Sequence, residues 1–193
     1  MSLSAAALPL EEQRPLPAAI GLWVFIGVAS VLFALFLTAY AMRMDRAPDW
    51  TRLALPWQLW LSTALLVAGS ALLARAASGG DAARMLLLGA GACAIAFVGS
   101  QLWAWQSLAA TRVSFTGNPA ASFFYVLTAL HGLHVAGGVV AWARVLRAPV
   151  DERIGLLARY WHFLLVVWLA LFAALGWLTP EIVAFICGRG WTS

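Results

Sequence analysis

Five apolar stretches, residues 18–42, 53–74, 85–111, 122–143 and 160–179, run through the chain without an Asp or Glu inside any of them. Each reaches the roughly 20 apolar residues that cross a bilayer core as a helix. A backbone in lipid has no outside partner for its N–H and C=O groups, so short apolar runs of this kind span as helices and not as open strands. Composition agrees: 63% of residues are hydrophobic and 10% are charged, against about 25% charged in an ordinary soluble domain. Mean hydropathy is +0.87. The sequence predicts an all-α integral membrane protein, with five transmembrane helices packed as a bundle.

The breaks between runs support that division. Residues 43–52, 75–84, 112–121 and 144–159 are short and carry the charges. Pro48, Pro56, Pro119 and Pro149 fall in these connections or at helix starts, where a missing N–H costs little. Pro180 closes the fifth run. Residues 1–17 hold Glu11, Glu12 and Arg14 with no basic n-region, which predicts a polar lead-in and not a signal peptide. Residues 18–187 are expected to form one transmembrane domain, and 188–193 a short tail.

Arginine placement gives an orientation. One side of a five-span chain carries Arg14, Arg75, Arg84, Arg144, Arg147, Arg153 and Arg159; the other carries Arg43, Arg46, Arg52, Arg112 and Arg189. The richer side faces the cytoplasm, so the N-terminus is expected inside and the C-terminus outside. The net charge of +4 comes from arginines set singly between apolar runs, a pattern that speaks for membrane orientation and against nucleic acid. Trp23, Trp57, Trp60, Trp103, Trp105, Trp142, Trp161 and Trp177 stand at or near the expected helix ends, as interfacial belts do.

Small residues mark where helices approach closely in lipid. On the third span they are Gly89, Cys93, Ala96 and Gly99 with Ser100; on the second, Ser62, Gly69 and Ser70. Gln101 and Gln106 are placed to bond across helices. On the fourth span His131, His134 and Gly138, at i, i+3 and i+7, share one face, with Gly137 beside them. That face should point into the bundle.

The chemistry-bearing residues are few. All acidic residues lie in tails, loops or at a helix end, which argues against a pump or ion transporter built on this chain. No Gly-rich phosphate loop, nucleophile elbow or HExxH motif is present. Cys93 and Cys187 are far apart, with no metal spacing and no support for a disulfide. Three histidines remain: His131, His134 and His162. They could clasp a metal or haem, yet no intramembrane carboxylate completes or orients such a site. The alternative is that they are structural, bonded to one another, to Thr128 or Tyr125, or to backbone carbonyls. His162, beside Trp161 at the expected mouth of the fifth helix, reads as structural too.

These histidine segments carry a resemblance. His131-Gly-Leu-His134-Val-Ala-Gly-Gly138, followed by Tyr160-Trp-His-Phe-Leu-Leu-Val-Val-Trp168, resembles the signature of subunit III of haem–copper terminal oxidases, the cytochrome c oxidase subunit 3 family. Gly21-Leu-Trp-Val-Phe-Ile, Val31-Leu-Phe33, Ala39-Tyr40, Leu59-Trp-Leu-Ser-Thr-Ala-Leu-Leu66 and Asn118-Pro-Ala-Ala-Ser-Phe-Phe-Tyr125 are similar in the same order. The resemblance covers roughly residues 18–180 and looks like the short, five-helix bacterial form.

It implies a non-redox accessory subunit of the cytoplasmic membrane, packed beside catalytic subunit I. Haem and copper would reside in the partner subunits and none in this chain. Bound phospholipid is implied, as is support of proton uptake and long-term activity in aerobic electron transport. The family's N-inside, C-outside orientation matches the arginine count. Two positions depart from its pattern: Ala29 and Leu165 stand where family members commonly carry a Glu and an Asp. The departures leave open a divergent branch, resembling the subunit III-like protein associated with nitric oxide reductase. A stand-alone His-ligated haem or metal protein is the alternative from another class.

Overall fold

The computed structural model describes residues 17–46, 50, 55–110, 119–147, 153–186 and 188. The expected lead-in therefore lies outside the described residues except for Pro17, and so does the tail except for Gly188. Cys187 lies outside them as well. The described residues form six helices and no strand: α1 (Pro17–Arg46), α2 (Gln58–Ala77), α3 (Ala83–Ala110), α4 (Pro119–Arg147), α5 (Arg153–Trp177) and α6 (Pro180–Ile186). The first five are long and apolar enough to cross a membrane, which makes this a multi-pass helical membrane protein.

Helix bounds differ from the apolar runs for identifiable reasons. α5 begins at Arg153 and not at 160, because Arg153 and Arg159 end the apolar run without ending the helix. A long arginine stem can lie along the helix while its head reaches the interface. Trp161 and His162 are therefore two turns inside α5 and not at its mouth. α2 starts at Gln58, since Pro56 turns the chain, its carbonyl accepting from Leu59 N at 3.1 Å. α6 did not stand out in the sequence: seven residues are too few for a periodic signal. It starts at Pro180, as the fixed φ of proline allows. The α2–α3 link is tight, with Gly79 and Gly80 at φ of 82° and 103°, backbone that side chains with a Cβ rarely adopt.

Helices α2 to α5 close a ring, in which α2 and α4 each pack on both α3 and α5. Leu59, Leu66, Leu73, Leu87, Phe97, Trp161 and Trp168 fill its interior. α1 leans on α4 and α5 from outside the ring. Only 11% of its apolar window is buried, against 39% to 50% for the others, so most of α1 faces out of the bundle. Phe33 anchors its middle on Leu127, Val167 and Leu171. Tyr40 and Met44 anchor its end on Val183 of α6.

Most hydroxyls inside the helices are satisfied locally, the buried Ser70 Oγ of α2 having no partner among the described residues. Ser62 Oγ donates to Gln58 O (2.9 Å), Thr63 Oγ1 to Leu59 O (2.8 Å) and Thr128 Oγ1 to Phe124 O (2.6 Å). This bond to the preceding turn is what lets Ser and Thr reside in apolar helices. Three of the groups also reach across: Ser62 to Ser100 (2.9 Å), Trp105 Nε1 to Thr128 Oγ1 (3.1 Å) and Trp168 Nε1 to Thr63 Oγ1 (2.9 Å). These polar stitches join α2 to α3, α3 to α4 and α2 to α5.

The expected stripe on α3 holds in part: Gly89 lies against Leu72, Cys93 against Gly69 and Ser100 bonds Ser62, all of α2, but Ala96 and Gly99 do not pack. The buried residues of α3 are Ala83, Leu87, Ala90, Gly91, Ala94, Phe97, Ser100, Gln101, Ala104 and Leu108. Ala96 and Gly99 face outward, and a Cβ on Gly99 would meet nothing within 4 Å. The glycine that α4 requires is Gly91: the Trp142 indole of α4 lies where its Cβ would be. That indole donates from Nε1 to Leu87 O at 2.7 Å. On α2, Ser62, Gly69 and Ser70 are buried, in line with the sequence.

Candidate functional site: a histidine and aromatic layer beside an arginine-rimmed cleft

The three histidines do not converge. Among the described residues no group of three or more His, Cys, Asp or Glu is placed to hold a metal ion. His131 is fully buried, with Trp168 at 5.3 Å, Phe97 at 5.7 Å and Phe33 at 6.3 Å between ring centroids. Neither ring nitrogen has a hydrogen-bond partner among the described residues. The Phe97 and Phe33 contacts are edge-to-face, the geometry in which an imidazole N–H can use an aromatic face as a weak acceptor. Thr128, which the sequence offered as a partner, bonds Phe124 O and Trp105 instead.

His134 is half-buried and turns to α1. Its ring sits 5.2 Å from Phe33 and 5.7 Å from Phe25. Nδ1 lies 2.7 Å from Leu130 O. A carbonyl can only accept, so Nδ1 carries the proton. His162 repeats the arrangement, with Nδ1 donating to Ala158 O at 2.5 Å, but its ring is exposed. Both rings are thus tied to their own helix, through backbone carbonyls, and not to each other.

Gly138 is buried on the same face of α4 as His131 and Val135. A Cβ there would stand 2.5 Å from Trp161 Cζ3 and 3.1 Å from Tyr160 Cε1. Trp161 is thereby part of the core and not of an interfacial belt; it is 1% exposed, and its Nε1 would lie 3.5 Å from a Cβ on Gly69. Gly137 faces outward, with only Tyr160 Oη within 4.0 Å of a Cβ. Trp105 and Trp142 are likewise hydrogen-bonded between helices. Trp23, Trp57, Trp60, Trp103 and Trp177 are exposed. Gln101 is buried with neither amide atom partnered among the described residues, and Gln106 faces outward.

Ala29 and Leu165, the two positions that depart from the oxidase pattern, are a buried residue and a half-buried one. Ala29 is one helical turn from both Phe25 and Phe33, so it shares the α1 face that meets His134. Leu165 packs against the central core. No motif or spacing marks the cleft that opens beside this layer. It holds about 540 Å³ and is lined by Gly21 and Phe25 of α1, Gly137 and Arg144 of α4, and Arg153 and Tyr160 of α5. Apolar walls with Arg144 and Arg153 among them suit an amphiphile that has an anionic head. Tyr160 also ties α5 to α4, donating from Oη to His134 O at 2.8 Å.

Fold and site together define a multi-pass helical membrane protein whose hydrogen-bonded polar groups bond to their own helix or stitch neighbouring helices together. No family model matches the chain. Among curated proteins it is 30% identical over 173 residues to cytochrome bo(3) ubiquinol oxidase subunit 3 of Pseudomonas aeruginosa, covering 79% of this chain and 80% of that protein. It is 29% identical over 175 residues to cytochrome c oxidase subunit 3 of Bacillus sp. strain PS3, covering 79% and 82%. It is also 29% identical over 162 residues to the probable cytochrome c oxidase subunit 3 of Mycobacterium leprae, covering 75% and 77%. The chain belongs to the cytochrome c oxidase subunit 3 family.

Proposed function

We propose that this chain is the accessory subunit III of a respiratory haem–copper terminal oxidase in a bacterial cytoplasmic membrane. The observation that carries the reading is the match to relatives named oxidase subunit 3 over about four fifths of both chains. In this reading haem and copper belong to the partner subunits, and this chain contributes to aerobic electron transport by stabilising subunit I. Its N-terminus lies inside and its C-terminus outside, as the arginine distribution favours. His131, His134 and His162 serve packing, and Gly138 sets the closest approach between α4 and α5.

A bound phospholipid would place its acyl chains along Leu22, Phe25 and Leu157, and its phosphate near Arg144 and Arg153 at the cleft. Charge-assisted hydrogen bonds from a guanidinium to phosphate are the chemistry this offers. The test is affinity purification from native membranes through a tag on this chain. A larger haem-bearing chain should co-purify, and the isolated chain should show no haem spectrum. A bis-histidine haem band from the isolated chain would overturn the reading.

A further inference from the structure

α6 is short but well fixed. Thr179 caps it: Oγ1 accepts from Ile182 N at 3.3 Å and the carbonyl accepts from Val183 N at 3.0 Å. Gly188, at φ 73°, closes it with a bond from its N–H to Phe185 O. The two sides of this helix differ. Val183 is buried against Tyr40 and Met44 at the end of α1. Ile182, Phe185 and Ile186, at i, i+3 and i+4, share another face, and they are 43%, 63% and 71% exposed.

The depth of α6 decides what covers that face. From Tyr160 to Trp177, α5 rises about 27 Å at 1.5 Å per residue, close to the roughly 30 Å of a hydrocarbon core. α6 follows after Leu178 and Thr179, so it starts where the core ends. Phe172 touches both Trp60 and Trp177, and Trp57 meets Trp103 edge-on. Exposed indoles therefore gather at this end of the bundle, as they do at headgroup level. The α1 residues that α6 touches flank exposed Arg43, whose charge belongs at the same height. A stable protein interface takes about 20–30 residues a side, which three side chains on one short helix do not supply. They do suit the boundary between headgroups and acyl chains, where an amphipathic helix lies with its apolar face down. Exposed Glu181, at the edge of the face, keeps its charge among the headgroups.

We propose that α6 is a membrane-surface anchor: Ile182, Phe185 and Ile186 insert at the headgroup–acyl boundary, and Val183 transmits that hold to the end of α1. The occupant of the exposed face is lipid and not another chain. α1 is the helix that such a clip serves, since it leans on the ring from outside and only 11% of its apolar window is buried. The inference goes beyond the oxidase reading and does not depend on it, because it uses only the place of α6 at the bilayer surface.

Two measurements test it. In native membranes, a photo-reactive benzoylphenylalanine in place of Phe185 should form adducts with phospholipid on irradiation. Adducts with a protein chain instead, or none with lipid, would overturn the lipid seat. The second measurement is hydrogen exchange on the chain purified with its native partners into nanodiscs. Phe185→Ser combined with Ile186→Ser leaves Val183 in place and removes the apolar face. Exchange at residues 38–44 should become about tenfold faster, the low end of what withdrawing one large apolar side chain from water is worth. Exchange at residues 21–28 should stay the same, which shows that the bundle is intact. Phe185→Trp should behave as the unsubstituted chain, because an indole prefers the same boundary. Unchanged exchange at residues 38–44 in the serine variant would overturn the hold on α1.

Discussion

Trp161 occupies the space a side chain on Gly138 would need: a Cβ at that glycine would lie 2.5 Å from the indole Cζ3. The same indole edges against Gly69 of α2. One tryptophan therefore fits between two helices, and its burial against α4 is possible because Gly138 lacks a Cβ, whereas a Cβ on Gly69 would meet it at an ordinary 3.5 Å. Lipid offers no hydrophobic drive between helices, so close approach of this kind is what holds such bundles together.

Gly138→Ala is expected to destabilise the chain by about 1–3 kcal/mol, the usual cost of forcing a methyl group into a filled core. Gly99→Ala should be neutral, because open space surrounds it. Unfolding in mixed micelles measures both. Equal stability of the two variants would show that Trp161 can move aside without cost.

The contrast between those glycines shows what the sequence could and could not reveal. Five helices were legible because lipid forces every apolar run of that length into one structure. Which side of α3 packs was legible only toward α2, where Gly89, Cys93 and Ser100 make contact; the side toward α4 was not, since Gly, Ala and Cys occur all round the helix and the apolar pattern has no preferred face. Gly91 and Gly99 look alike until Trp142 is placed on one of them. Trp161 looked interfacial because two arginines hid the first turns of α5. The face shared by His131 and Gly138 was readable from spacing, but His134 drifted to the α1 side, as an i+3 neighbour can. The cleft had no sequence signal, being assembled from three helices.

Thr63→Val keeps the shape of the side chain and removes the acceptor of the buried Trp168 N–H. The loss expected is about 0.6–2 kcal/mol, within the range for hydrogen bonds between membrane helices. Thr63→Ser should restore stability, since the hydroxyl returns. Ser62→Ala should cost less, because Ser100 Oγ can then donate its proton to Phe97 O, 2.8 Å away. Parallel unfolding curves for the three variants check the order.

Replacing Arg144 and Arg153 together with Ala should lower the phospholipid phosphorus that stays with the purified chain. Both line the cleft, and their loss removes its charge without filling its apolar space. Arg75→Ala, an exposed arginine at the end of α2, is the control and should change nothing. Phosphorus assay after exhaustive detergent exchange reads the effect. Unchanged phosphorus in the double variant would mean that the cleft does not select a phosphate head.

His134→Leu tests how α1 is held. Ring contacts of Phe25 with His134 and Tyr160 attach the first half of α1 to the ring of helices, and that of Phe33 with His134 attaches its middle. Its second half is held separately, by Tyr40 and Met44 against Val183. Losing one aromatic partner is worth about 0.5–1.5 kcal/mol, so opening near Phe25 should become roughly twofold to twelvefold more frequent. Hydrogen exchange in nanodiscs should show faster exchange for residues 21–28 and unchanged exchange for 38–44. His131→Leu should act differently, since that ring touches Phe97 and Trp168 inside the bundle and its loss should loosen α3 against α4. In membranes that contain the partner chains, His134→Leu should reduce the amount of this subunit in the complex and leave electron transfer in already assembled complex intact. Loss of turnover at undiminished subunit content would instead place the imidazole in the chemistry.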